Sequence, residues 1–138
     1  MQKIYSKIDP NLLLLVINRK GEIDIQRTDL SPAEQYMQVA TKKLAKNTFF
    51  KPHKHNHLER TTTTTQEAWV FLDGKVNAKF WDIDDGLIYE TILLAGDCAV
   101  VFHGGHSFEV LEDNTILYEF KNGPYYGTEK DKTYIREN

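Results

Sequence analysis

In the second half of this chain short apolar runs alternate with Asp-Gly and Gly-Asp turn signals at a regular rhythm. Ala68-Trp69-Val70-Phe71-Leu72 is a continuous apolar run, and Asp73-Gly74 behind it is a strong hairpin signal. Val76 to Trp81 reads as the returning strand, Asp84-Asp85-Gly86 as the next turn, Leu87 to Leu94 as a strand and Ala95-Gly96-Asp97 as a turn. Cys98 to Phe102, Phe108 to Leu111 and Thr115 to Phe120 complete the set. Segments this short, so regularly punctuated, specify an all-β barrel or sandwich.

The first half fits that class with one exception. Leu12 to Ile17 is apolar throughout and is followed by the turn-like Arg19-Lys20-Gly21-Glu22, so it reads as a buried strand. It is far too short to span a bilayer. Glu22 to Gln26 alternates with period two, as a half-buried strand does. Ser31-Pro32-Ala33-Glu34 has the form of a capping box with proline at the first helical position, which predicts one short helix over Pro32 to Tyr36. Met37 to Thr41 returns to strand alternation, and the β-branched run Thr61 to Thr65 suits a strand better than a linker. At 138 residues the chain is read as one domain with a core that needs no disulfide.

Composition narrows the function. A net charge of −3 argues against a sequence-independent nucleic-acid binder. The single cysteine, Cys98, excludes an internal disulfide and fits a reducing compartment, and no leader pattern is evident, so a cytoplasmic location is expected. Cys98 lies among Ala99, Val100 and Val101 and reads as a small buried hydrophobe. The five histidines fall in two groups: His53, His55 and His57, then His103 and His106. On a strand, His53-x-His55-x-His57 points three imidazoles to one face, where two can reach one ion. Glu67 shares a strand face with Trp69 and Phe71, and a carboxylate facing that interior must be paired, protonated or metal-bound. His106 shares a face with Phe108 and Val110 and is read as inward. Trp69, Phe71, Phe80, Phe102 and Phe108 are expected to line the interior.

Pro52-His53-Lys54-His55, then Glu67 with six residues before Gly74, then Gly96-Asp97 and Gly104 with His106, resembles the two motifs of the cupin superfamily. The likeness runs from about Asn47 to Val110. It implies a double-stranded β-helix (jelly-roll barrel) with a core over about residues 36–120 of a single domain. It also implies a metal site of His53, His55, Glu67 and His106, holding a divalent transition ion such as Zn, Fe, Mn or Ni. The departures are specific: Asn47 replaces a glycine, Phe102 replaces a proline, His106 comes one residue early, and the gap between His55 and Glu67 is long. That gap leaves open whether His57 replaces a member of the pair and whether Glu59 competes with Glu67. The tail Lys121-Asn122-Gly123-Pro124-Tyr125-Tyr126-Gly127 resembles the ends of small single-domain cupins of unassigned activity, some of them similar to proteins encoded with surface-sugar biosynthesis.

The expected function is thus a metal-binding cupin acting on a small polar molecule such as a sugar derivative or keto acid. His103 and Glu59 are the candidates for proton transfer. Alternatives are a non-catalytic small-ligand module and a metal-free sugar isomerase or epimerase. Lys121, Tyr125 and Tyr126 either cover the barrel mouth or pack outside it. The outward Val70 and Leu72 suggest a homodimer.

Overall fold

A computed structural model describes residues 1–136. Its strands are β1 (Gln2–Tyr5), β2 (Leu13–Asn18), β3 (Thr28–Asp29), β4 (Ala40–Thr41), β5 (Glu67–Asp73), β6 (Lys75–Trp81), β7 (Leu87–Leu94), β8 (Cys98–Val101), β9 (Gly105–Val110) and β10 (Ile116–Lys121). One helical turn, α1 (Thr128–Asp131), follows them. The chain is all-β, built from three antiparallel sheets in the orders β1-β2-β8-β5-β10, β7-β6-β9 and β3-β4. No helix among the described residues is long and apolar enough to cross a membrane.

Strand alternation divides the apolar residues between two cores. Leu15, Ile17, Trp69, Phe71, Ala99 and Val101 project from the five-stranded sheet onto Val76, Ala78, Phe80 and Leu93 of β6 and β7. The opposite face of the five-stranded sheet carries Leu13, Val16, Ala68, Cys98, Val100 and Phe102, covered by Leu30, Met37 and Val39. Phe102 therefore packs on the outer face rather than lining the interior with Trp69 and Phe71, because it follows Val100 by two in the strand alternation. Gly74 turns the β5–β6 hairpin at φ +79°, and a side chain there would meet Thr115.

The first half departs from expectation in three places. Pro32 to Tyr36 forms turns instead of a helix. The Ser31 hydroxyl accepts the Val39 N–H at 3.0 Å rather than capping, and the Gln38 amide donates to the Pro32 and Gln35 carbonyls at 2.9 and 2.5 Å. Those are groups a helix would need for itself. Glu22 to Gln26 is not a strand: Glu22 ends a 3-10 turn over Lys20–Glu22, and its carboxylate accepts the Arg19 N–H at 2.8 Å and the Met1 ammonium at 2.6 Å. The segment 42–66 has no regular structure, so neither His53 to His57 nor Thr61 to Thr65 forms a strand, and of Met37 to Thr41 only Ala40–Thr41 pairs. In the threonine run the Thr62 hydroxyl accepts the Thr64 N–H at 3.1 Å, a local turn that competes with a ladder.

Candidate functional site

A cavity of about 530 Å³ opens beside β5 and β9, with Glu67, Trp69, Trp81, His106, Phe108 and Glu119 in its wall and residues 131–135 across it. Two strands set its chemistry. On β5, Glu67 and Trp69 point to the inner face, and β9 pairs with β6 so that His106 lies opposite Phe80. The His106 ring meets the Trp69 ring edge-on at 5.2 Å, and Phe108 meets Trp69 at 5.0 Å. Gly104, at φ +78°, lets the chain pass the Trp81 carbonyl closely just before His106.

Glu67 is the centre of this wall, and it is only 4% exposed. The Trp69 indole N–H donates to its Oε1 at 2.5 Å, while Oε2 faces His106 Nε2 at 3.5 Å and Lys121 Nζ at 3.4 Å. Burial by itself would push the Glu67 carboxyl up, but the hydrogen bond and charge of His106, the Trp69 N–H and the Lys121 ammonium together hold it down at about 2. Lys121 is shared with Glu119 at 3.1 Å, and although partial burial opposes its charge, the two carboxylates raise its pKa. The result is a carboxylate that stays ionised in an aromatic wall because the Lys121 ammonium, the Trp69 N–H and the His106 ring flank it.

Glu67 and His106 are brought together as expected. His53 and His55 stand elsewhere, exposed in the 42–66 segment, with rings edge-on at 5.6 Å and His53 Nδ1 2.9 Å from the Lys51 carbonyl. Neither lines the cavity, and His57 and Glu59 are exposed in the same segment. His103 is half-buried after β8, its backbone N–H bonded to the Leu14 carbonyl at 3.1 Å; burial lowers its pKa, and it is not in the cavity wall. Among the described residues no three His, Cys, Asp or Glu side chains stand close enough to hold an ion.

The donor pair itself suits half of a metal site. Two ligands about 2.1 Å from a tetrahedral ion stand about 3.4 Å apart, close to the 3.5 Å between Glu67 Oε2 and His106 Nε2. His106 Nδ1 is buried without a hydrogen-bond partner, so the outer partner that usually orients a ligating imidazole is not supplied by the protein.

The sequence reading missed Trp81, Glu119 and the 131–135 stretch as cavity wall, and it missed Lys121 as a partner of Glu67. The signal for Lys121 was its place opposite Glu67 in the β5–β10 register, which only the pairing reveals. Tyr125 and Tyr126 are exposed and do not line this cavity; Lys121 Nζ lies 5.9 Å from the Tyr125 ring centre. Cys98 is buried in the outer core, and burial with the neighbouring Asp97 charge pushes its thiol up to about 12, which removes it from the chemistry. No family model matches the chain, and no curated protein or solved structure is significantly similar to it.

Proposed function

We propose that the chain is a cupin-like, double-stranded β-helix protein that binds a small polar molecule, such as a sugar derivative or keto acid, in the cavity beside Glu67. Glu67 and His106 would hold a divalent transition ion there, with His53 and His55 of the 42–66 segment the candidates to complete its ligand set. The observation that carries the reading is the buried Glu67 carboxylate, kept ionised with the His106 nitrogen 3.5 Å away at the cavity wall. When bound, the ion supplies Lewis acidity toward a carbonyl or hydroxyl oxygen of the ligand. Trp69, Trp81 and Phe108 form the apolar part of the wall and exclude water. Glu119 offers a second carboxylate for a ligand hydroxyl, while Lys121 neutralises the excess charge.

A metal-free second reading rests on the fact that Glu67 and His106 already face each other without further ligands. There the pair moves a proton on a bound sugar, the imidazole acting as acid or base and the carboxylate orienting it. Metal analysis after gentle purification and repletion with Zn, Fe(II), Mn or Ni separates the two. The metal reading expects close to one equivalent of one ion, lost in His106→Ala and in the His53→Ala/His55→Ala double variant. Less than about a tenth of an equivalent of every ion overturns it.

A further inference from the structure

Strand β10 is the last in its sheet, and its outer edge has no partner among the described residues. The direction of its backbone groups can be read from the neighbouring ladder. Phe71 aims both its N–H (to the Asp97 carbonyl, 3.1 Å) and its C=O (from Gly96 N, 2.7 Å) toward the β8 side. By alternation Ala68 and Val70 aim theirs at β10, where their partners are Phe120 and Tyr118. Consistent with this, Asn122 N–H donates to the Gln66 carbonyl at 3.3 Å. Leu117, Glu119 and Lys121 are left presenting N–H and C=O to the open edge. A six-residue edge strand without proline or bulge along 117–121 is a template for another strand.

The outer face of the same strand is apolar and uncovered. Ile116, Tyr118 and Phe120, with Leu72 of the neighbouring β5, are each between 49% and 59% exposed, and the Tyr118 and Phe120 rings lie tilted with centres 6.1 Å apart. The cover that Leu30, Met37 and Val39 give to this sheet face packs against Val70 and the cluster over β2, β5 and β8.

We propose that a second copy of this chain occupies the edge, β10 pairing antiparallel with β10 across a two-fold axis. Only registers joining odd-numbered residues satisfy the free groups, and charge chooses among them. Centring on Glu119 sets two carboxylates directly opposite, which is unfavourable. Centring on Phe120 sets Glu119 opposite Lys121 twice, stacks the two Phe120 rings and gathers four aromatic rings on the outer face. On the inner face this extends the Glu67–Lys121 cross-strand pair into a row of alternating charge. Because Glu119 lines the cavity, Lys121 of the second copy stands beside each cavity and completes its wall.

The test is solution mass by light scattering over a concentration series, with three variants. Wild type is expected at twice 16.0 kDa, its association weakening as NaCl is raised. Glu119→Pro removes an N–H that the β5 ladder does not use, so the fold stays while association falls about thirtyfold, one N–H being lost from each copy. Glu119→Lys sets like charges opposite and weakens association without touching the backbone, whereas Glu119→Gln falls between it and wild type. Circular dichroism reports whether each variant is folded; should Glu119→Pro not fold, Glu119→Lys and Glu119→Gln decide. A monomer at about 100 µM overturns the proposal, and so does a dimer that Glu119→Lys leaves unchanged.

Discussion

Glu67 and Lys121 are direct register partners across the β5–β10 ladder, and their side chains meet at 3.4 Å on the cavity side of the sheet. This cross-strand ion pair, with His106 and Trp69 completing it, makes the Glu67 carboxyl a stronger acid in the folded chain than the ordinary value of 4.5. A carboxyl with a depressed folded pKa contributes stability that is present above the unfolded value and is lost as pH falls through the folded value. For Glu67 that window runs from about 4.5 down to about 2. Glu67→Gln keeps an acceptor for the Trp69 indole but loses the charge that faces the Lys121 ammonium and the His106 ring, so it should cost about 1–3 kcal/mol at neutral pH. Urea denaturation at stepped pH checks this: the gap between wild type and variant should close between pH 4.5 and 2. A gap independent of pH would contradict the assignment.

The end of β2 is tied to the β7–β8 turn by a second charged group. Asp97 is 5% exposed and accepts Arg19 Nη1 at 2.8 Å, the Lys20 N–H at 3.1 Å and the Leu94 N–H at 3.1 Å. Arg19 also donates to the Ile92 carbonyl at 2.6 Å and the Thr91 hydroxyl at 2.8 Å. Asp97→Ala leaves two part-buried N–H groups and one guanidinium without their acceptor, and should destabilise by about 1–3 kcal/mol. Asp97→Asn retains an acceptor and should cost about half as much. Guanidinium-induced unfolding of the two variants side by side gives the comparison.

Burial that pushes the Cys98 thiol up to about 12 leaves almost no thiolate at pH 8. Native protein should react with an aromatic disulfide reagent at least about a hundredfold more slowly than the same protein in guanidinium. Fast native labelling would mean that β8 opens readily.

Strands β5 to β8 were legible because their boundaries are written locally: Asp73-Gly74, Asp84-Asp85-Gly86 and Ala95-Gly96-Asp97 stop each apolar run, whereas β9 begins at Gly105, three residues before the expected Phe108. The inward placement of Glu67 with Trp69 and of His106 with Phe108 followed from period two alone. Lys121 was not legible as the Glu67 partner, since nothing local says that β10 returns beside β5. The helix expected at Pro32 failed for a related reason: Ser31 and Gln38 have capping chemistry, but tertiary packing spends it on Val39 and on the carbonyls of Pro32 and Gln35. The His53-x-His55-x-His57 alternation has the period of a strand, yet a strand also needs a neighbour to pair with, and it has none among the described residues.

That segment makes the last prediction. Lys46, Lys54 and Arg60 are exposed in the stretch 42–66, which has no ladder hydrogen bonds to protect it. Trypsin should therefore cut there before it cuts within β5 to β8, because local opening costs least where backbone bonds are fewest. If His53 and His55 close on Glu67 and His106 around an ion, saturating Zn, Mn or Ni should slow cleavage at Lys54 at least about tenfold. His53→Ala/His55→Ala should be cut at the metal-free rate with or without the ion, which separates docking from an effect of metal on the protease. Equal rates in wild type with and without every ion would leave Glu67 and His106 as a metal-free pair.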